Sequence, residues 1–157
     1  MNPDEIAALL AGLRETPQRL AALAGAQREE AWRRPRLAGG WSAAETLAHV
    51  RAADAIIAPR LMYIAVREEP FLAAFDDRDW MEVADYVRLP VAALVRGFVA
   101  RREELLHALA WLPEQAWSRT GIHEARGPQT LHEIAAGIVA HEHEHLDQIE
   151  TALAGPA

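Results

Sequence analysis

The chain has 157 residues, a net charge of −7 and no cysteine. That length fits one domain, spanning 1–157, with a core that needs no disulfide staples, and any metal must be held by histidine and carboxylate rather than thiolate. An acidic chain without an arginine cluster interleaved with aromatics is not expected to bind nucleic acid, and the absence of lysine among its sixteen basic residues carries no functional reading.

Helical spacing runs along most of the sequence, and Ala, Leu, Glu and Arg, all strong helix formers, dominate it. The first helix is predicted over residues 3–24, opened by Pro3 and Asp4, with Ile6, Leu9, Leu10, Leu13, Leu20 and Leu23 on its apolar stripe. Pro17 lies inside it and is expected to bend or break it. Residues 25–40 form a connection, with a short helical turn over 29–33 that turns Trp32 inward. The second helix starts at a capping box, Ser42 with Glu45, and continues through Leu47, Val50, Ile57, Leu61 and Ile64 to about Arg67. Pro59 predicts a kink there.

Residues 69–89 break the periodicity and carry Asp76, Asp77, Asp79 and Trp80, which reads as a loop with one short helical piece. The third helix begins at Pro90 and places Val91, Leu94, Val95, Phe98, Leu105 and Leu109 inward. Pro113 starts a short turn, and residues 118–129 read as an irregular loop containing Gly121 and Gly127. The fourth helix starts at a second capping box, Thr130 with Glu133, and continues to about Leu153. No run of alternating β-branched residues predicts a strand of any size. The expected fold is therefore all-α, a four-helix bundle. No apolar stretch reaches the ~18 residues of a membrane span, and the N-terminus lacks the basic region of a signal peptide, so a cytoplasmic protein is expected.

Residues 140–150, AHEHEHLDQIE, hold three of the seven histidines. At ~100° per residue, His145 lies ~40° to one side of the Leu131–Ile149 stripe and His141 ~80° to the same side. The two stack one turn apart, while His143 falls ~120° to the other side and points outward. Two adjacent inward histidines would each need their own partners, and their protonation would set two charges side by side. A divalent cation removes both problems. The string H-E-x-x-H is also that of a zincin peptidase, but such a site takes its third ligand from downstream, and no histidine follows His145. The upstream candidate is His49 on the second helix, whose plainer reading is a boundary histidine. His107, His123 and His132 read as solvent-facing or structural, with His123 in a loop that could overhang the site.

Trp41, Ser42, Glu45, Leu47 and His49, then Arg101 and Leu105, then Trp117, Gly127, Thr130, Leu131, His141, Glu142, His145, Leu146, Gln148 and Ile149 form an ordered set. The set resembles the DinB-like superfamily over nearly the whole chain, and TPQRL at 16–20 fits that family's first helix. The group includes YfiT-like metal-dependent hydrolases and mycothiol- or bacillithiol-dependent S-transferases. The resemblance implies a four-helix bundle with a three-histidine site made of His49, His141 and His145, with no ligand role for His143. Such a site keeps an open position for water or substrate. Zinc is the default cation, with nickel and manganese as alternatives, and it would activate water or a low-molecular-weight thiol. A small-molecule substrate and a homodimer are likewise what the resemblance implies. Glu142, ~20° from the stripe centre, is the candidate catalytic residue, as a base or by orienting a ligand. The plainer reading pairs it with an arginine of a neighbouring helix such as Arg101. The alternative function is a non-enzymatic bundle that binds a partner through the acidic 69–89 segment, its metal structural or vestigial.

Overall fold

A computed structural model describes residues 2–35 and 40–155. Residues 36–39, the end of the connection predicted over 25–40, lie outside the described residues. Four long helices make the body: α1 (Pro3–Ala26), α3 (Ala43–Val66), α5 (Val91–Ala110) and α6 (Leu131–Ala154). Two short ones, α2 (Glu29–Trp32) and α4 (Asp77–Val83), cap its side. Three of the long helices start at capping boxes, on Asn2, Ser42 and Thr130, so their starting points are set by local chemistry.

Among the long helices, the packing partners of α1 are α5 and α6, and those of α3 are also α5 and α6. The order around the bundle is thus α1, α5, α3, α6. Consecutive long helices α1 and α3 lie on a diagonal, as do α5 and α6. Short loops cannot span a diagonal, which explains the longer connections between these pairs. One consequence matters for the site: α3 and α6, far apart in sequence, lie face to face.

The expected strandless fold needs one correction. Phe71–Leu72 (β1), Thr120–His123 (β2) and Gly127–Thr130 (β3) form a small sheet in the order β1-β2-β3, β1 parallel and β3 antiparallel to β2. The segment 118–129, read as an irregular loop, is largely this hairpin. Gly121 is required where the sheet meets α3, since a Cβ there would lie 2.9 Å from both Ile64 and Leu72. Within 69–89 the structure places β1, α4 and a 3-10 turn at Tyr86–Arg88 rather than one helical piece.

Neither proline ends its helix. The α-helical assignment runs unbroken through Pro17 and Pro59. Pro17 has no N–H to give the Leu13 carbonyl one turn back, which would orphan that buried acceptor. The guanidinium of Arg102, reaching across from α5, donates to the Leu13 carbonyl at 3.0 Å instead.

The core falls into two apolar clusters. One gathers Leu20, Trp32, Leu47, Phe98, Leu146 and Ile149, and the other Leu13, Leu61, Ile64, Leu105, Trp117 and Ile138. Between them lies a buried polar layer with a member from each long helix: Thr16, Asp54, Arg102 and Glu142. Trp32 faces inward, as predicted from the sequence, and is fully buried. No helix among the described residues is long and apolar enough to cross a membrane.

Candidate metal centre

His49 lies two turns into α3, past the Ser42–Glu45 box, and His141 and His145 are one turn apart on α6. Packing α3 against α6 brings all three together. The Nε2 atoms form a triangle, with His49 to His141, His49 to His145 and His141 to His145 each 3.1 Å. They are the one group of metal-competent side chains among the described residues, and Glu142 is not part of it.

On two of these rings the proton is placed by the outer nitrogen. His145 Nδ1 is 2.9 Å from Oε1 of Gln148, and the Gln148 amide nitrogen faces Glu144 at 3.4 Å. A carboxamide oxygen only accepts, so His145 carries its proton on Nδ1 and leaves Nε2 a bare lone pair. His49 Nδ1 faces the Asp77 carboxylate at 3.6 Å, too long for a hydrogen bond but close enough for its charge to favour the proton on that side. The indole of Trp41 packs on the His49 ring with centroids 5.1 Å apart, and the Arg78 guanidinium lies over Trp41. Burial lowers the pKa of His49, Asp77 opposing it. Burial, then the two neighbouring imidazoles, lowers His141 to about 4. Both rings are therefore neutral near pH 7, the form that ligates.

Converging lone pairs repel one another unless a cation sits among them. Three imidazoles, two of them with outer nitrogens directed at acceptors, are a donor set suited to a divalent metal. The site is thus capable of coordinating such an ion.

The other expected residues lie elsewhere. His143 turns to α1, its Nε2 3.6 Å from Glu15, and His107 is exposed on α5. His123 is not in a loop but buried in β2, its Nδ1 accepting the Ala125 N–H. It neighbours Arg60, eleven residues along α3 from His49, or ~16 Å of helix rise, and so does not overhang the histidines. Burial, with Arg60 and Arg126, lowers its pKa. Both oxygens of Glu142 are taken by the guanidinium of Arg102, not Arg101. Arg101 instead meets Asp54 at 3.1 Å. Burial raises the Glu142 carboxyl's pKa, and the bonds from Arg102 oppose that shift.

Comparison with known proteins agrees with this architecture. A Geobacillus thermodenitrificans (strain NG80-2) protein named "Putative metal-dependent hydrolase" is 25% identical over 109 residues, which is 68% of this chain and 61% of that protein. The chain thus spans about three fifths of the length of that relative. The solved structure of YfiT from Bacillus subtilis, described as "a probable metal-dependent hydrolase with an unusual four-helix bundle topology", superposes with a TM-score of 0.86. It is 18% identical and covers 97% of this chain and 87% of YfiT, so the two share a fold. The diagonal placement of consecutive helices, the paired histidines of α6 and the lone histidine of α3 all lie within residues 12–149, the stretch that matches the DinB superfamily, and the chain belongs to that superfamily.

Proposed function

We propose that the protein is a metal-dependent enzyme, in which His49, His141 and His145 hold one divalent cation, zinc by default for three imidazoles. The observation that carries this reading is the triangle of Nε2 atoms, each 3.1 Å from the other two. A bound cation would lower the pKa of a coordinated water or thiol and so supply a nucleophile at neutral pH. Hydrolysis of a small substrate is favoured by the names given to the relatives. Transfer of a low-molecular-weight thiol is the second reaction within the same chemistry.

The chain's own residues have separable tasks in this reading. Gln148 and Asp77 hold the protons of His145 and His49 on their outer nitrogens. Trp41 covers the His49 ring and limits its access to water. Glu142, buried and with both oxygens held by Arg102, is not open to a substrate, so we assign it to holding α6 rather than to proton transfer. A cavity of about 530 Å³ lined by Phe75, Asp76, Asp79, Trp80, Val83 and Tyr86 flanks α4, the helix that carries Asp77, and offers room for the apolar part of a small substrate.

The experiment is metal analysis of the purified protein against His145→Ala, followed by ester-hydrolysis and thiol-conjugation assays on the loaded protein. Near-stoichiometric metal in the wild type, lost in the variant, supports the reading. Equal and negligible metal in both overturns it.

A further inference from the structure

Among the described residues Arg102 is the one charged residue that is wholly buried, and it lies between the two apolar halves of the core. Its guanidinium engages the other three long helices at once. Nη1 donates to the Leu13 carbonyl of α1 at 3.0 Å and to Glu142 of α6 at 2.9 Å. Nη2 donates to Asp54 of α3 at 3.2 Å and to the second oxygen of Glu142. The Leu13 carbonyl is free to accept because Pro17 brings no N–H to it.

Two of these acceptors sit beside the metal ligands in sequence. Glu142 follows His141 directly, and Asp54 lies five residues after His49 on the same rigid helix. Rotation of α6 about its axis moves Glu142 and His141 together, and sliding of α3 moves Asp54 and His49 together. A planar fork holding both carboxylates therefore restricts the movements that would open the histidine triangle. Apolar side chains at the same level would fill space, but they lack the directionality of a bidentate pair.

We propose that Arg102 is a positioning residue for the three-histidine centre, setting the rotation of α6 and the height of α3 so that His49, His141 and His145 converge. The inference rests on the reading that these histidines bind a divalent metal. Arg101, which meets Asp54 from the half-exposed rim and touches neither Leu13 nor Glu142, has no such role.

Cobalt(II) is the probe, because its visible absorption reports ligand number and geometry independently of turnover. Arg102→Met alone would leave the buried Glu142 carboxylate without a counter-charge, and Asp54 with only Arg101 and Arg51 on its second oxygen. The test therefore uses the triple variant Asp54→Asn/Arg102→Met/Glu142→Gln, which removes the clamp without leaving a fully buried charge unpaired, alongside Arg102→Lys and the control Arg101→Ala. The triple variant and Arg102→Lys are expected to give a cobalt Kd at least about tenfold weaker, with an altered visible band. Their metal-free forms should still melt cooperatively, and Arg101→Ala should keep the wild-type Kd and spectrum. Wild-type Kd and spectrum in Arg102→Lys, or in a folded triple variant, overturn the positioning role. If the wild type itself takes up no cobalt, it is the metal reading that fails, and the inference falls with it.

Discussion

The Gln148 carboxamide oxygen lies 2.9 Å from Nδ1 of His145, one turn along the same helix, and this contact decides which nitrogen of the imidazole is free. Removing it lets the ring rotate and change tautomer, both of which cost metal affinity. Gln148→Leu is expected to weaken binding by ~10–100-fold, measured by competition with a chromophoric chelator. Gln148→Glu, which still accepts, should stay close to wild type. Asp77→Asn should have a smaller effect, since its carboxylate stands 3.6 Å from His49 Nδ1. Equal affinity in Gln148→Leu and wild type would show that the contact does not orient the ring.

His141 and His143 are two residues apart and chemically identical, yet they belong to different parts of the molecule. His141 meets His49 and His145, while His143 approaches Glu15 of α1. Purified His141→Ala is expected to carry little metal, and His143→Ala the wild-type amount, by elemental analysis. Loss of metal in His143→Ala with a normal melting curve would contradict the assignment.

The helical wheel separated these histidines from sequence because α6 is a long, regular helix whose stripe is easily drawn. The buried charge layer was equally present in the pattern but less visible. Asp54 lies four residues after Val50 and three before Ile57, and Arg102 four after Phe98 and three before Leu105. Each occupies a stripe position that a purely apolar reading skips. Arg101 was the arginine named for Glu142, though stripe geometry favours its neighbour. The sheet was illegible for another reason. Strands of two to four residues, one holding Gly121 and another Gly127 and Pro128, are too short for alternation to appear. Asp77 lay in the acidic cluster singled out from sequence, but only the docking of α4 beside α3 brings it to His49.

Breaking the buried layer on one side should be costly. Arg102→Met strips the counter-charge from Glu142 and one of the partners from Asp54, both nearly inaccessible, and is expected to lower the stability of the metal-free protein by ~3–5 kcal/mol. Arg101→Met removes a rim contact to the same Asp54 and should cost no more than ~1 kcal/mol. Urea denaturation of the two variants checks the contrast, and similar midpoints would mean that Arg102 is not the centre of the network.

The pH dependence of stability follows from the same histidines. His141 is held at about 4 in the fold against an ordinary 6.5, by burial and then by its two neighbours. His49 is shifted in the same direction, again first by burial. Between those values the unfolded chain binds protons that the folded chain refuses, so folding stability rises with pH across the window and is lost as pH falls through it. The thermal midpoint of the metal-free protein should therefore drop as pH falls from about 6.5 toward about 4, and His141→Gln should flatten that part of the curve. Added metal should raise the midpoint near pH 7 more than near pH 5, because protons compete for the same Nε2 lone pairs. A wild-type curve no steeper than that of His141→Gln would mean that His141 titrates normally in the fold, and the neutral, ligation-ready form of that ring would lose its electrostatic basis.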